Sequence, residues 1–136
     1  MPVRNGRFFL QRSLGSLVCQ SFSDWELIAI DDASSDGSYA LLRDWSEKDP
    51  RIRPFRLPEN QGASAARNYA IQQARSGMIA YLDCDDEYYP DYLEQVERLQ
   101  GKAHVLVFGY DAVDEDGTLL GIGKRTTWDR RRCGIS

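Results

Sequence analysis

Apolar positions recur along this chain in two alternating rhythms. From Arg7 to Gln20, the residues Phe8, Phe9, Leu10, Leu14, Leu17 and Val18 fall at helical spacing and predict an amphipathic helix. Trp25 to Asp31 is a continuous apolar run ending in acid, the pattern of a buried strand. Asp36 to Trp45 reads as a helix, with Ser34, Ser35 and Asp36 as candidate N-caps. Ile52 to Leu57 reads as a short strand closed by Pro58, and Gly62 to Arg75, rich in Ala and Gln, as a helix. Met78 to Asp83 is a second apolar run ending in acid. Pro90 to Leu99 opens with proline in its first turn and carries Leu93, Val96 and Leu99 on one face. His104 to Tyr110 reads as a third apolar strand. Asp114 to Gly117 is a turn signal, after which Thr118 to Gly123 is expected to pair back as a hairpin.

Helices alternating with apolar strands predict an α/β fold: a mostly parallel sheet flanked by helices, with right-handed crossovers. The folded part is expected over residues 1–123, and residues 124–136 form an irregular tail without an apolar period. Met1-Pro2-Val3 runs straight into the turn Arg4-Asn5-Gly6, where an α/β domain would place its first strand. The expectation is therefore a domain cut short at its beginning.

Composition narrows the chemistry. The chain has 136 residues, room for one domain. Its 17 basic and 21 acidic residues give a net charge of -4, so no cationic surface for nucleic acid is implied. Three cysteines without C-x-x-C spacing argue against a disulfide framework or zinc site and fit a reduced, cytoplasmic setting. A single histidine, His104, argues against Ser-His-Asp catalysis. No apolar run approaches the roughly 18 residues of a membrane span, and the N-terminus lacks a signal-peptide core.

The candidate chemistry lies where two strands end. One gives Asp31-Asp32, followed by Ala-Ser-Ser-Asp36-Gly37; the other gives Asp83-Cys84-Asp85-Asp86. Open α/β sheets bind ligands at the carboxyl ends of their strands, and parallel strands bring both acid groups to one edge. Crowded carboxylates call for a cation, and oxygen ligands suit Mg²⁺ or Mn²⁺, which keep positions open for substrate phosphates. A nucleoside diphosphate ligand follows. The plainer reading of each motif stands beside this one. Asp31-Asp32 could cap a helix, and Asp83 to Asp86 alone could be a solvated turn. Arg67 could be a surface arginine, a phosphate ligand or the partner of an aspartate. Cys84 and the tyrosines 88, 89 and 92 read as packing residues, and His104 as structural.

These motifs, in this order, resemble the N-terminal half of family 2 glycosyltransferases, which have the GT-A fold. The resemblance runs from MPVRNG at Met1 through WELIAIDDASSDGS and DPRIRPFRLPENQGASAARNYAI to MIAYLDCDDEYYPDYLE, ending near Glu94. It implies transfer of a sugar from a nucleotide-sugar donor, UDP-linked by expectation, to an acceptor hydroxyl with inversion. It also implies a role in polysaccharide or glycoconjugate synthesis. Asp32 matches the acid that reads the donor base, with Asp31 beside it. Arg67 matches a basic residue that helps hold the nucleotide, and Pro2, Val3 and Asn5 match the loop lying against it. Asp83-Cys84-Asp85 matches the Asp-x-Asp signature, with Asp85 the principal metal ligand and Asp83 facing the ribose and the metal. The metal is Mn²⁺ or Mg²⁺. Arg4 stands where many members carry an aromatic residue.

In the family the catalytic base comes from a later acidic motif, so the resemblance places it beyond the C-terminus of this chain. The acceptor would be a glycan or a lipid-linked glycan, and the full-length protein would work in the cytoplasm, at the cytoplasmic face of a membrane. The competing expectation is a truncated, non-catalytic remnant that at most binds nucleotide. A receiver domain is disfavoured because Lys102 and Lys124 do not sit at a late strand end. A nucleotidyltransferase would need more phosphate loop than Gly6-Arg7.

Overall fold

The computed structural model describes residues 1–101, 105–106, 108–114, 116 and 118–122. They fall into two compact units divided between Leu93 and Glu94. The first begins with strand β1 (Pro2–Val3), helix α1 (Arg7–Val18), strand β2 (Leu27–Asp31) and helix α2 (Ser38–Lys48). Strand β3 (Ile52–Arg56) and helix α3 (Ala63–Gln73) follow, and helix α4 (Tyr92–Leu99) spans the division. The second unit contains the strands β4 (Asp111–Val113) and β5 (Leu119–Ile122), which pair antiparallel as the expected hairpin.

In the first unit, β1, β2 and β3 form a parallel sheet in that order, with Val3 opposite Asp31 and Asp31 opposite Arg56. Every residue of β2 is buried because the sheet is covered on both faces. Leu27 and Ala29 join Leu10, Leu14, Leu17 and Leu42 in a cluster on one face, under α1 and α2. Ile28 and Ile30 join Leu57 and Ala66 on the other, under α3. Each fully buried aliphatic side chain here contributes about 1.5–3 kcal/mol by leaving water. Pro54 sits in β3, paired with β2 on one side only, where a missing N–H costs nothing.

Local chemistry sets the element ends. Helix α2 stops at Asp49, whose backbone is extended (φ -136°, ψ 107°) because Pro50 follows it. Its N-cap is Gly37 in the left-handed region, not one of the three expected side-chain caps. Helix α3 starts after Gly62 at φ 86°, ψ 162°, a combination essentially confined to glycine.

Two strand expectations come out differently. Pro2–Val3 form a strand where only a turn was expected. Main-chain oxygens of Met1 and Val3 accept N–H bonds from Ile30 and Asp32 (2.9 and 2.8 Å), so Pro2 needs no donor of its own. Conversely, Met78 to Asp83 joins no ladder among the described residues. Leu82 packs with Val3 in the first cluster, so the segment runs beside β1. That strand offers two residues, one of them a proline without an N–H, too short a template for a six-residue partner. Of the expected strand from His104 to Tyr110, His104 and Val107 lie outside the described residues and the rest take no strand. Residues 124–136 also lie outside them. Among the described residues no helix is long and apolar enough to cross a membrane.

Candidate functional site

The carboxyl ends of β1 and β2 are joined by a zipper of polar contacts. The Asn5 N–H donates to Ser34 Oγ (3.0 Å), Gly6 N–H to Ser38 Oγ (3.0 Å) and Arg7 N–H to Asp36 Oδ2 (2.9 Å). In return Ser35 N–H donates to Asn5 Oδ1 (3.0 Å). Of the residues expected to cap α2, Asp36 thus satisfies the open Arg7 N–H at the start of α1, and Ser34 that of Asn5 just before it. Asp36 serves both helices, since its Oδ1 also accepts the N–H of Ser38 (2.9 Å). Burial pushes the Asp36 carboxyl up, but hydrogen bonds from Ser38 and from the Arg7 N–H outweigh it and hold it below the ordinary range.

The two acids of the first motif divide their work. Asp31 is fully buried; its Oδ2 accepts the Ser34 N–H (3.2 Å) and faces the Arg56 guanidinium at 3.2 Å, while its Oδ1 has no partner. Asp32, 3% exposed, accepts the N–H of Gln61 on Oδ1 (2.7 Å) and that of Gly62 on Oδ2 (2.9 Å). It thereby caps the entry to α3, not α2. Each of its oxygens keeps a second lone pair.

The second motif lies at the same edge. Arg67 Nη2 donates to both oxygens of Asp83, at 2.7 and 2.9 Å, with both side chains part-exposed. Arg4 spans the two motifs: its Nη1 donates to the Asp32 carbonyl (2.6 Å), and its main-chain N–H points at Cys84. Burial pushes the Cys84 thiol up, and the charge of Asp85 adds to this, so it stays protonated at neutral pH. It fills the space beside Gly6, where a Cβ would stand 2.8 Å from its sulfur. Asp85 and Asp86 are exposed. Although Asp86 as a whole is exposed, partial desolvation of its carboxyl raises it, and the charges of Asp85 and Asp83 add to this. A cavity of about 460 Å³ adjoins the ion pair, lined by Ser64, Arg67, Asn68, Ile71, Tyr81, Asp83 and Asp86.

The structure thus gathers Val3, Asn5, Asp31, Asp32, Arg67, Asp83 and Cys84 at one edge of the sheet, with Pro2 one residue back in β1 and Asp85 on the outer turn. The pattern of apolar and acidic residues did not reveal the part of Arg56 or of the Gln61 and Gly62 N–H groups. Among the described residues no three carboxylate, imidazole or thiolate side chains converge on one point. The donors are nonetheless all hard oxygens, and both oxygens of Asp83 are engaged with Arg67. They fit an ion that takes one or two protein ligands and completes its shell with phosphate and water.

Comparison with known proteins bears on the family and the fold. The sequence profile of glycosyl transferase family 2 matches residues 1–134. A Bacillus subtilis glycosyltransferase named for teichuronic acid biosynthesis, TuaG, is 37% identical over 121 residues, covering 88% of this chain and 48% of its own. A Campylobacter jejuni protein named GalNAc(5)-diNAcBac-PP-undecaprenol beta-1,3-glucosyltransferase is 30% identical over 121 residues, covering 88% and 39%. The chain therefore spans about half, or less, of the length of these relatives. Among solved structures, S. aureus TarS 1-349 in complex with UDP-GlcNAc superposes with a TM-score of 0.70 at 24% identity, over 76% of this chain and 30% of that one. A Pyrobaculum calidifontis mannosyltransferase solved with GDP-Man and Mn²⁺ gives 0.63 at 22%, over 84% and 34%. At these identities the likeness establishes the fold, which is that of the GT-A glycosyltransferases. The profile match over nearly the whole chain establishes the lineage: this chain belongs to glycosyl transferase family 2.

Proposed function

We propose that the chain forms the donor-binding part of an inverting, metal-dependent glycosyltransferase that takes its sugar from a UDP-sugar. The observation that carries this reading is the meeting of Asp31-Asp32, Arg67 and Asp83 to Asp86 at one sheet edge, beside an open cavity. Asp32, oriented by two main-chain N–H groups, accepts the N3–H of uracil on a remaining lone pair. Asp83 meets the ribose once the diphosphate competes for Arg67, and the guanidinium then holds phosphate oxygens. Pro2, Val3 and Asn5 form the wall of the nucleotide site, with Cys84 behind it. A bound Mn²⁺ or Mg²⁺, held by Asp85 with Asp83 beside it, would neutralise charge on the departing diphosphate.

The general base that takes the acceptor's proton belongs, in this reading, to the part of the relatives' length that this chain does not span. The name of the Campylobacter relative, with its undecaprenol-linked substrate, supports a lipid-linked or glycan acceptor. With it goes a place at the cytoplasmic face of a membrane and a role in envelope polysaccharide synthesis. TarS solved with UDP-GlcNAc supports the choice of UDP. Titration calorimetry with UDP, with and without Mn²⁺ and with GDP as control, tests the reading. UDP is expected to bind more tightly with Mn²⁺, and the metal-dependent part is expected to vanish in Asp85→Ala. A folded chain that binds no UDP would refute it.

A further inference from the structure

The buried face of α1, continued to Gln20 two residues past its end, carries polar residues at helical spacing that its core neighbours do not explain. Ser13, Ser16 and Gln20 lie in line with Leu10, Leu14 and Leu17, and both Ser13 (0%) and Gln20 (8%) are buried. Their hydrogen bonds run to main-chain atoms, and each of the three reaches the stretch between Asp83 and Leu93. Ser13 Oγ donates to the Asp83 carbonyl at 3.4 Å. Ser16 Oγ accepts the N–H of Tyr88 at 3.1 Å and donates to the Ser13 carbonyl. The Gln20 amide uses both ends: Nε2 donates to the Tyr89 carbonyl at 2.7 Å, and Oε1 accepts the N–H of Leu93 at 3.0 Å. That stretch has no helix or strand before Tyr92. Its backbone therefore finds in α1 the partners that secondary structure would otherwise supply.

We propose that Ser16 and Gln20 are positioning residues for the acidic turn: they fix its height and angle against the sheet edge and so set the metal-dependent part of donor binding. This rests on the function proposed above. Leucine at position 20 would serve a plain core equally well, but would leave the buried Leu93 N–H unpaired and the Tyr89 carbonyl without its bond from Gln20. The base end of the site hangs on β2 and the entry to α3, through Asp32, and does not touch the stripe. Loosening the turn is thus expected to separate the two halves of the ligand.

The test compares Gln20→Ala and Ser16→Ala with the parent chain in two measurements. Amide hydrogen exchange is expected to quicken about tenfold at Leu93 in Gln20→Ala and at Tyr88 in Ser16→Ala, the scale of losing one or two hydrogen bonds, with Ile28 and Ile30 unchanged. Calorimetry is expected to show UDP with Mn²⁺ bound about tenfold more weakly and uridine, which meets the turn only at Asp83, weakened by clearly less. Unchanged exchange at Tyr88 and Leu93 would overturn the inference. So would quickening spread equally to β2, or an equal loss for uridine and for UDP with Mn²⁺. A parent chain that binds neither ligand refutes the proposed function; with no site to position, this inference falls with it, and exchange then reports only that the stripe holds the turn.

Discussion

At the scale of single residues, backbone conformation separates positions that look alike in the sequence. Ala33 sits at φ 55°, a region where a Cβ is strained, within the loop that joins β2 to α2. Glycine there is expected to raise stability by about 0.5–1 kcal/mol. Gly62 sits at φ 86°, ψ 162° and supplies one of the two N–H groups to Asp32. Gly62→Ala is expected to cost about 1–3 kcal/mol. Urea unfolding of the two variants should move in opposite directions from the parent, and a common direction would contradict the conformational argument. Asn5, at φ 49°, is a residue type that tolerates this region, and its Oδ1 also accepts the Ser35 N–H. The acids at the two strand ends were legible because carboxylates closing apolar runs are a local pattern. Their partners were not, because Gln61 and Gly62 lie some thirty residues from Asp32 along the chain. A side-chain cap reads the same in sequence whichever helix it serves, and Asp36 serves two.

At the scale of elements, helices were easier to foresee than strands. Helix α1 announces itself through its own spacing, and its expected span of Arg7 to Gln20 overruns the observed end by two residues. A strand exists only with a partner, which is why Pro2–Val3 was missed and Met78 to Asp83 was overread. The ties between elements carry a pH dependence. Hydrogen bonds from Arg51, which also stacks on Trp25 at 3.8 Å, hold the Asp49 carboxyl below its ordinary value of 3.8 and join the end of α2 to the start of β3. In the unfolded chain Asp49 takes up its proton near the ordinary value; in the folded chain it does so at lower pH. The stability from this pair is therefore complete above that ordinary value and fades as pH falls through the lower folded one. Asp49→Asn is expected to flatten the loss of thermal stability below about pH 4, with little change in its slope above pH 6. Calorimetric melting across that range checks it; an unchanged acid limb would count against the pair.

At the scale of the molecule, both core clusters are drawn from Met1 to Leu93, and the candidate site lies within the same span. A chain ending at Gly101 is therefore expected to unfold in one cooperative step, and to bind UDP with an affinity close to that of the full chain. Circular dichroism melting and calorimetry decide this; a non-cooperative melt would show that the first unit needs the second. The α/β class was readable from the alternation of periods, since that pattern is global and survives errors at single strands. The unladdered run beside β1 has a practical consequence for handling the protein. Ile79 is 37% exposed and Tyr81 62%, on a stretch whose backbone joins no sheet among the described residues. Sticky side chains on an unpaired edge invite other chains to add to it, so concentrated samples should self-associate and finally precipitate. Ile79→Lys should delay the rise in light scattering with concentration, because a charge on an edge discourages stacking without disturbing the buried Leu82.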